Sequence, residues 1–225
     1  MTTFFIVATP IGNLEDITLR AIRVLGEVDA ILCEDTRVTA KLLSRYEIKK
    51  PLIRYDAHST DATLKKIFGL IEEGKSLALV SDAGTPAISD PGSHLVGKLR
   101  ERFSSEEISI VTIPGPSALT SALSVAGIPA SEFLFLGFLP HKKGRETIFK
   151  EIVETKRPVI FYESPHRISK ALDSLKKFCP ERKIIIGREL TKIHEEMLFG
   201  TADELILFFE KNKEKIRGEF VVIVN

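Results

Sequence analysis

The sequence has 225 residues, of which 44% are hydrophobic and 28% are charged, so it can bury a sizeable core and is not a disordered chain. The 32 Lys and Arg residues nearly balance the 31 Asp and Glu residues, and the net charge of +1 excludes a protein that holds nucleic acid through its overall electrostatic field. Any contact with nucleic acid must therefore come from a local basic patch.

Short apolar runs alternate with helical patterns through the first half of the chain. The runs predict strands buried on both faces, because they lack an alternation of apolar and polar residues; they are Phe4–Ala8, Ala30–Cys33, Leu52–Tyr55, Leu77–Val80 and Ile108–Ile113. Apolar periodicity predicts helices between them at Ile17–Leu25, Val38–Tyr46, Ala62–Glu73 and His94–Phe103. About five such alternations favour a mainly parallel α/β sheet covered by helices on both sides.

The second half begins with a predicted helix and then has fewer helices per strand, which favours a mixed sheet. Predicted strands are Phe133–Phe138, Val159–Tyr162, Lys183–Gly187 and Phe220–Val224, with Met197–Gly200 as a short extra strand. Predicted helices are Ser117–Ala126, Glu146–Glu154, Arg167–Phe178 and Ala202–Glu210. The proline- and glycine-bearing stretch Pro116–Pro129 marks the join, so we expect an N-terminal α/β domain over residues 1–116 and a C-terminal α/β domain over residues 117–225.

The cysteines and histidines predict neither a disulfide framework nor a metal site. The two cysteines, Cys33 and Cys179, are too few for either, and Cys33 lies in an apolar run that is typical of an inert buried thiol. The five histidines show no metal-ligand spacing. The N-terminus lacks the basic lead and the apolar stretch of a signal peptide, and no apolar run approaches the roughly 20 residues that span a bilayer, so we expect a cytoplasmic protein without a membrane or metal partner.

Four turns follow predicted strands of the first half, where ligands bind to open α/β sheets. They are Thr9–Leu14, Glu34–Arg37, Ser81–Gly92 and Pro114–Ala118. The third turn has two Asp, two Gly and two Pro among twelve residues, and such a segment is costly to order without a function. It matches neither a phosphate-binding P-loop nor a Gly-x-Gly-x-x-Gly fingerprint, so its ligand need not carry phosphate.

The second and fourth turns each have a structural and a functional interpretation. Glu34–Arg37 is either a helix N-cap with a local ion pair or a polar cluster at the mouth of a cleft. Ser117 is expected to cap the helix that follows it, and the free N–H groups of a helix N-terminus also suit a ligand carboxylate.

The second half leaves similar alternatives open. Glu163 either pairs with Arg167 or faces a substrate, and Arg188 either pairs with Glu189 or faces a substrate. The basic run Pro140–Arg145 is either a solvated loop or a holder of nucleic-acid phosphates.

Seven motifs in order resemble the ribosomal RNA small subunit methyltransferase I family of the tetrapyrrole (corrin/porphyrin) methylase superfamily, over nearly the whole chain. They are Val7–Leu14, Glu34–Arg37, Ser81–Gly92, Pro114–Ala118, Phe138–Pro140, Phe161–Arg167 and Arg188–Lys192. The sequence departs from the family where His-x-His-Asn is common, because it has Asp56-Ala57-His58-Ser59 there. The resemblance therefore says less about that loop.

The resemblance implies a two-domain fold with S-adenosylmethionine in the cleft between the domains, and a homodimer. It also implies methyl transfer to the ribose 2′-hydroxyl of a cytidine in 16S ribosomal RNA, within the small ribosomal subunit. The implied cofactor-binding residues are Pro10, Asp82, Gly84, Thr85, Ile88, Ser117, Ala118 and Leu190. The implied substrate-binding residues are Arg37, Lys142, Lys143, Glu163 and Arg188.

A ribose hydroxyl is a weak nucleophile, so a general base would help the transfer. The carboxylate candidates are Glu34, Asp35, Glu163 and Glu189, and our hypothesis is that Glu34 or Asp35 is catalytic while Arg37 and Lys143 hold RNA phosphates. Two other functions stay open. One is methylation of a small tetrapyrrole precursor by the same superfamily, and the other is a non-catalytic module that senses S-adenosylmethionine.

Overall fold

The computed structural model describes residues 1–140 and 144–225. The chain divides into two compact units, Met1–Ser117 and Ala118–Asn225. The elements of the first unit are β1 (Thr2–Val7), α1 (Leu19–Glu27), β2 (Ala30–Cys33), α2 (Thr36–Arg45), β3 (Leu52–Arg54), α3 (Asp61–Glu72), β4 (Leu77–Leu79), α4 (Gly92–Arg102) and β5 (Ile108–Ile113), with a 3-10 helix at Leu14–Asp16.

The sheet of the first unit has the order β3-β2-β4-β1-β5, and its described pairs are all parallel. Its two faces carry separate cores. Phe4 and Leu32 pack with Leu95 on one face, and Val7 and Ile31 belong to the cluster of the other face. The predicted parallel sheet with both faces covered is therefore confirmed, and its inner strands β2 and β4 are apolar and buried throughout because neither of their faces meets water.

The second unit is also α/β. Its elements are α5 (Ala118–Val125), β6 (Leu134–Phe138), α6 (Arg145–Glu154), β7 (Val159–Glu163), α7 (Ile168–Phe178), β8 (Ile184–Arg188), β9 (Glu196–Gly200), α8 (Ala202–Lys211) and β10 (Phe220–Val224), with a 3-10 helix at Lys213–Lys215. The sheet order is β6-β7-β10-β8-β9. The pair β6–β7 is parallel and the other described pairs are antiparallel, so the predicted mixed sheet is confirmed.

Side-chain caps set several helix starts. The Thr18 hydroxyl accepts from Ala21 N–H at 3.1 Å and starts α1, while Thr201 and Glu204 form a capping box at α8. Gly74, which follows the C-cap Glu73 of α3, has φ +82°, a conformation that commonly ends a helix. Both cysteines are free and buried, as expected for Cys33, and burial raises the pKa of its thiol.

Two features of the described residues concern membranes and metal ions. No helix among these residues is long and apolar enough to cross a membrane. In the same residues, no group of three or more His, Cys, Asp or Glu side chains is arranged to hold a metal ion.

Candidate functional site

The carboxyl edge of the first sheet gathers the loops that the sequence singled out. Since its strands are parallel, the segments after β1, β4 and β5 all leave at this edge. Thr9 and Gly84 exchange two backbone hydrogen bonds of 2.9 and 3.0 Å. The Thr85 hydroxyl donates to the Pro116 carbonyl at 3.2 Å. The structure thus brings the Pro10 loop, the Ser81–Gly92 loop and the Pro114–Pro116 turn into direct contact.

Two glycines allow this close packing of loops. Gly84 has φ +84°, and a Cβ there would lie 3.5 Å from Ile11. A Cβ on Gly115 would lie 3.0 Å from the Ala8 Cβ. Glycine is required at Gly84 by its backbone conformation and is favoured at Gly115 by the lack of space.

Glu34 lies at the same edge, half-buried at the end of β2. Partial burial raises the pKa of its carboxyl group, and the neighbouring carboxylates of Asp90 and Asp82 raise this pKa further. Asp82 is anchored beside it, because its Oδ1 accepts from the Asp35 N–H at 3.1 Å. Glu34 is therefore a more basic carboxylate than an exposed glutamate, which suits the acceptance of a proton.

Asp35 is engaged locally instead. Its carboxylate caps α2 by accepting from the Arg37 N–H at 2.8 Å, and it forms a 2.6 Å ion pair with the exposed Arg37 guanidinium. These hydrogen bonds hold the pKa of Asp35 well below its usual range. The structure therefore contains the N-cap and the local ion pair that the structural interpretation of this motif predicted. A carboxylate that is stabilised in this way is a poor base.

The segment after β4 presents an apolar side chain among these polar groups. Asp90 Oδ1 accepts from the N–H groups of Ala87 at 2.7 Å and Gly92 at 2.8 Å. Ala87 and Ser89 have φ of 72° and 67°, a conformation that costs energy for residues other than glycine. Between them, Ile88 is 47% exposed. Asp90 was not among the predicted site residues, although Asp-Pro-Gly before a helical pattern is a cap signal that could have found it.

The Asp56–Ser59 loop, where the sequence departs from its family, is closed on itself. Asp56 N–H donates to Ser59 Oγ at 2.8 Å, and Asp56 Oδ1 accepts from the His58 N–H at 2.9 Å. Asp56 also forms a 2.7 Å ion pair with Arg54. These contacts account for the local conformation of the loop.

In the second unit, Glu163 is the centre of a buried ion-pair network at the end of β7. Its side chain is 0% exposed and lies 2.7 Å from Arg167 and 3.1 Å from Arg145, so the pairing with Arg167 is confirmed. The two guanidinium groups also donate to the carbonyls of Leu139 and Pro140. The predicted substrate residues Lys142 and Lys143, within the basic run, lie outside the described residues.

Arg188 does not pair with Glu189, so this alternative was wrong. Its Nε lies 3.3 Å from Glu196 and its Nη2 donates to the His194 carbonyl at 3.1 Å. The register of β8 and β9 places Arg188 opposite Glu196, whereas Glu189 binds Lys192 at 2.8 Å. The Arg188 side chain is buried, and its Nη1 has no hydrogen-bond partner among the described residues.

Three predicted cofactor residues lie in the second unit or directly before it. Leu190 is 8% exposed and packs its methyl groups over Gly187, where a Cβ would lie 3.2 Å from them. Ala118 begins α5 and, like the preceding Ser117, is half-buried. Their assignment to a cofactor stays a prediction from the family resemblance.

A cavity of about 650 Å³ lies at the opposite, amino edge of the first sheet. It is lined by the end of α2 and the start of β3, including Leu43, Lys49 and Lys50. None of the predicted site residues that the structure describes lines it.

Parallel strands with polar loops at their carboxyl edge, together with a second, mixed sheet, define a two-unit α/β protein whose ligand site is expected at that edge. The sequence model of the tetrapyrrole (corrin/porphyrin) methylases matches residues 3–206, and the chain belongs to this family.

Two curated relatives are similar over the full chain. Ribosomal RNA small subunit methyltransferase I of Thermotoga maritima is 46% identical over 225 residues, which is 100% of this chain and 99% of the relative. The protein of the same name from Coprothermobacter proteolyticus is 46% identical over 98% of this chain and 96% of its own length.

Solved structures of the family share the fold at low identity. Cobalt precorrin-4 methyltransferase has a TM-score of 0.72 at 16% identity, over 99% of this chain and 94% of its own. A Thermus thermophilus uroporphyrin-III C-methyl transferase, solved with S-adenosyl homocysteine, has a TM-score of 0.66 at 15% identity, over 100% of this chain and 97% of its own.

Proposed function

We propose that this protein transfers a methyl group from S-adenosylmethionine to the ribose 2′-hydroxyl of a cytidine in 16S ribosomal RNA. The observation that carries the proposal is 46% identity, over essentially the full length of both chains, to a relative named ribosomal RNA small subunit methyltransferase I. A half-buried, basic glutamate at the candidate site supplies the group that ribose methylation needs.

The residues at the carboxyl edge of the first sheet fit S-adenosylmethionine by their chemistry. The carboxylate of Asp82 suits a ligand whose sulfonium and ammonium groups are positive, and the exposed Ile88 offers an apolar surface for an adenine ring. Pro10, Gly84 and Thr85 belong to the loops that are packed there. No phosphate-binding loop is needed, since this ligand has no phosphate.

S-adenosylmethionine supplies a methyl group that its sulfonium makes electrophilic. In the proposal, Glu34 would accept the proton of the 2′-hydroxyl while the oxygen bonds to the methyl carbon, and the sulfur would leave with the electrons of its methyl bond as S-adenosylhomocysteine. The raised pKa of Glu34 makes it the better base of the two first-unit candidates. Asp35 instead holds the start of α2 and orients Arg37. The protein otherwise contributes alignment of oxygen, carbon and sulfur.

The RNA contacts are proposed from one exposed cation of the first unit and from the basic run of the sequence. Arg37 is 87% exposed in its side chain and can hold a phosphate on its outer side, and Lys142 and Lys143 belong to the basic run. Glu163 and Arg188 are buried, so we assign them to holding the loops at the ends of β7 and β8 in place of direct contact with RNA.

The experiment that tests the proposal is mass mapping of ribose methylation in 16S ribosomal RNA. Small ribosomal subunits without the modification are incubated with the protein and S-adenosylmethionine, in parallel with isolated 16S RNA. A new 2′-O-methylcytidine that depends on both protein and cofactor is expected. Cofactor binding without methylation of either RNA would contradict the proposal and favour a sensor.

The family name and the fold of the solved precorrin and uroporphyrin methylases favour a second candidate, methylation of a small tetrapyrrole. A tetrapyrrole precursor replaces RNA in the same assay. Methyl incorporation into the precursor alone would establish this candidate and exclude the first.

A cytoplasmic location and a homodimer complete the proposal. The cytoplasmic location follows from a ribosomal RNA substrate, and the homodimer follows from the family resemblance. Sedimentation of the purified protein gives the molecular mass that distinguishes a dimer from the 25.1 kDa chain.

A further inference from the structure

We infer that Phe138, seated against Tyr162, is a stacking platform for a nucleobase of the RNA substrate. Phe138 is 58% exposed, and its ring centroid lies 5.3 Å from that of Tyr162 at an interplanar angle of 59°. Phe135 also contacts Tyr162, edge-on, with ring centroids 5.1 Å apart. Three aromatic rings thus form a continuous row, and the outermost ring is open to solvent.

A β-bulge creates this arrangement. The regular pairing Phe135–Ile160 would place Gly137 opposite Tyr162, but one inserted residue puts Phe138 there. Gly137 has φ 61°, which glycine adopts at little cost. Bulges on edge strands commonly redirect a side chain, and this one turns Phe138 to the face that carries Phe135 and Tyr162, with its ring exposed to water.

The charges around the platform favour an RNA base over another apolar partner. Only Leu139 separates Phe138 from the basic run Pro140–Arg145. The guanidinium groups of Arg145 and Arg167 donate to the carbonyls of Pro140 and Leu139, directly after Phe138 in the chain. Both also pair with the carboxylate of Glu163, so this cluster keeps one net positive charge. Exposed aromatic rings beside cations are the usual means of binding unpaired bases of RNA, because the rings stack on bases while the cations attract phosphates.

This inference rests on the proposed RNA substrate and adds a contact made by the second unit. The base that stacks must be unpaired or at the end of a helix, because a base inside a duplex has no free face. Phe138 therefore contributes to RNA binding and not to the affinity for S-adenosylmethionine.

The test replaces Phe138 with Ala, Leu and Trp. Phe138→Ala and Phe138→Leu are expected to raise the KM for small ribosomal subunits roughly 5- to 150-fold, with kcat and cofactor affinity within about twofold of the unchanged protein. Leucine keeps apolar volume but cannot stack, and Phe138→Trp retains the wild-type KM. Phe138 is exposed, so these variants are expected to fold, and thermal unfolding verifies it.

Phe138→Trp also gives a direct signal, since the sequence contains no other Trp. Its fluorescence is expected to fall when a single-stranded RNA is added. The matched control is Phe199→Trp, because Phe199 is also 58% exposed but lies on β9, at the other edge of the same sheet. That fluorophore is expected to stay unquenched.

Three results would overturn the inference: a Leu variant with wild-type KM, a Trp variant that RNA does not quench, or an Ala variant whose molecular mass in solution changes. The last would make this face an interface between copies of the chain. Failure of the proposed function is distinguishable, because the unchanged protein would then methylate no RNA at all.

Discussion

At the scale of single residues, Glu34 is the group on which the proposed chemistry depends. Glu34→Gln removes the base but keeps the size of the side chain, so kcat is expected to fall by about 10²- to 10⁴-fold. The affinity for S-adenosylmethionine is measured by calorimetry and is expected to change little. Glu73→Gln, at the exposed C-terminus of α3, is the matched control and keeps full activity.

The same variant has an expected effect on stability, which separates loss of a base from loss of fold. Burial raises the folded-state pKa of Glu34, so the folded protein binds this proton more tightly than the unfolded chain. Stability is therefore lost as pH rises from the ordinary carboxyl range through the raised pKa. Glu34→Gln is expected to unfold at a higher temperature than the unchanged protein at pH 7, with a smaller difference at pH 4. A lower unfolding temperature at pH 7 would contradict the assignment.

Asp90 is predicted to set the pH dependence of the reaction. Its charge raises the pKa of Glu34, while its Oδ1 accepts two backbone hydrogen bonds. Asp90→Asn removes the charge and keeps an oxygen acceptor, so the pKa of Glu34 falls and the acid limb of the kcat profile moves to lower pH. The profile is measured beside that of Glu73→Gln. An acid limb that stays in place or moves upward would show that Glu34 is not the group that titrates.

At the scale of elements, periodicity in the sequence predicted the strands and helices to within a few residues. The predicted strands Ala30–Cys33, Ile108–Ile113 and Phe220–Val224 have the observed bounds, because buried strands end where turn residues begin. The first helix was predicted as Ile17–Leu25 but spans Leu19–Glu27, since the Thr18 hydroxyl caps it. The spacing of apolar residues gives no information about that hydrogen bond.

The parts of the candidate site that depend on short sequence motifs could be predicted. The parts that depend on the register in which two strands pair could not. The loops after β1, β4 and β5 follow strands of one parallel sheet, so their contact could be expected. Glu196 as the partner of Arg188 could not, because the pairing of β8 with β9 decides it. The exposed ring of Phe138 depends on a single inserted residue in β6, which an apolar run does not reveal.

The end of β7 is predicted to depend on the Glu163 network for its stability. Glu163→Gln leaves the guanidinium groups of Arg145 and Arg167, whose side chains are only 15% and 14% exposed, without a counter-charge. Breaking a buried ion pair by removing one partner costs roughly 3–5 kcal/mol, and urea unfolding measures this loss. The matched control is Glu132→Gln, because Glu132 and Arg157 form an exposed pair at 3.7 Å that is worth at most about 1 kcal/mol. Equal losses in both variants would contradict the assigned role of Glu163.

At the scale of the whole molecule, the near balance of charge decides how the protein can hold RNA. A net charge of +1 gives little long-range attraction, so binding must rest on a few phosphate contacts. Each phosphate that the protein neutralises adds about 0.7 to the slope of log affinity against log salt for single-stranded RNA. The salt dependence of binding is therefore expected to be shallow, and most of it is expected to come from the basic run.

This expectation is tested with two double variants, each of which replaces two lysines that are adjacent in the sequence. Replacing Lys142 and Lys143 with Ala is predicted to reduce the salt slope by about 1.4, because each lysine that no longer neutralises a phosphate lowers the slope by about 0.7. Lys49 and Lys50 lie at the amino edge of the first sheet, which is the edge opposite the candidate loops. Replacing both with Ala removes the same charge and should leave the slope unchanged. Binding of small ribosomal subunits is measured from low to physiological salt. Equal reductions in both double variants would mean that overall charge attracts the RNA, and the assignment of the basic run would then be wrong.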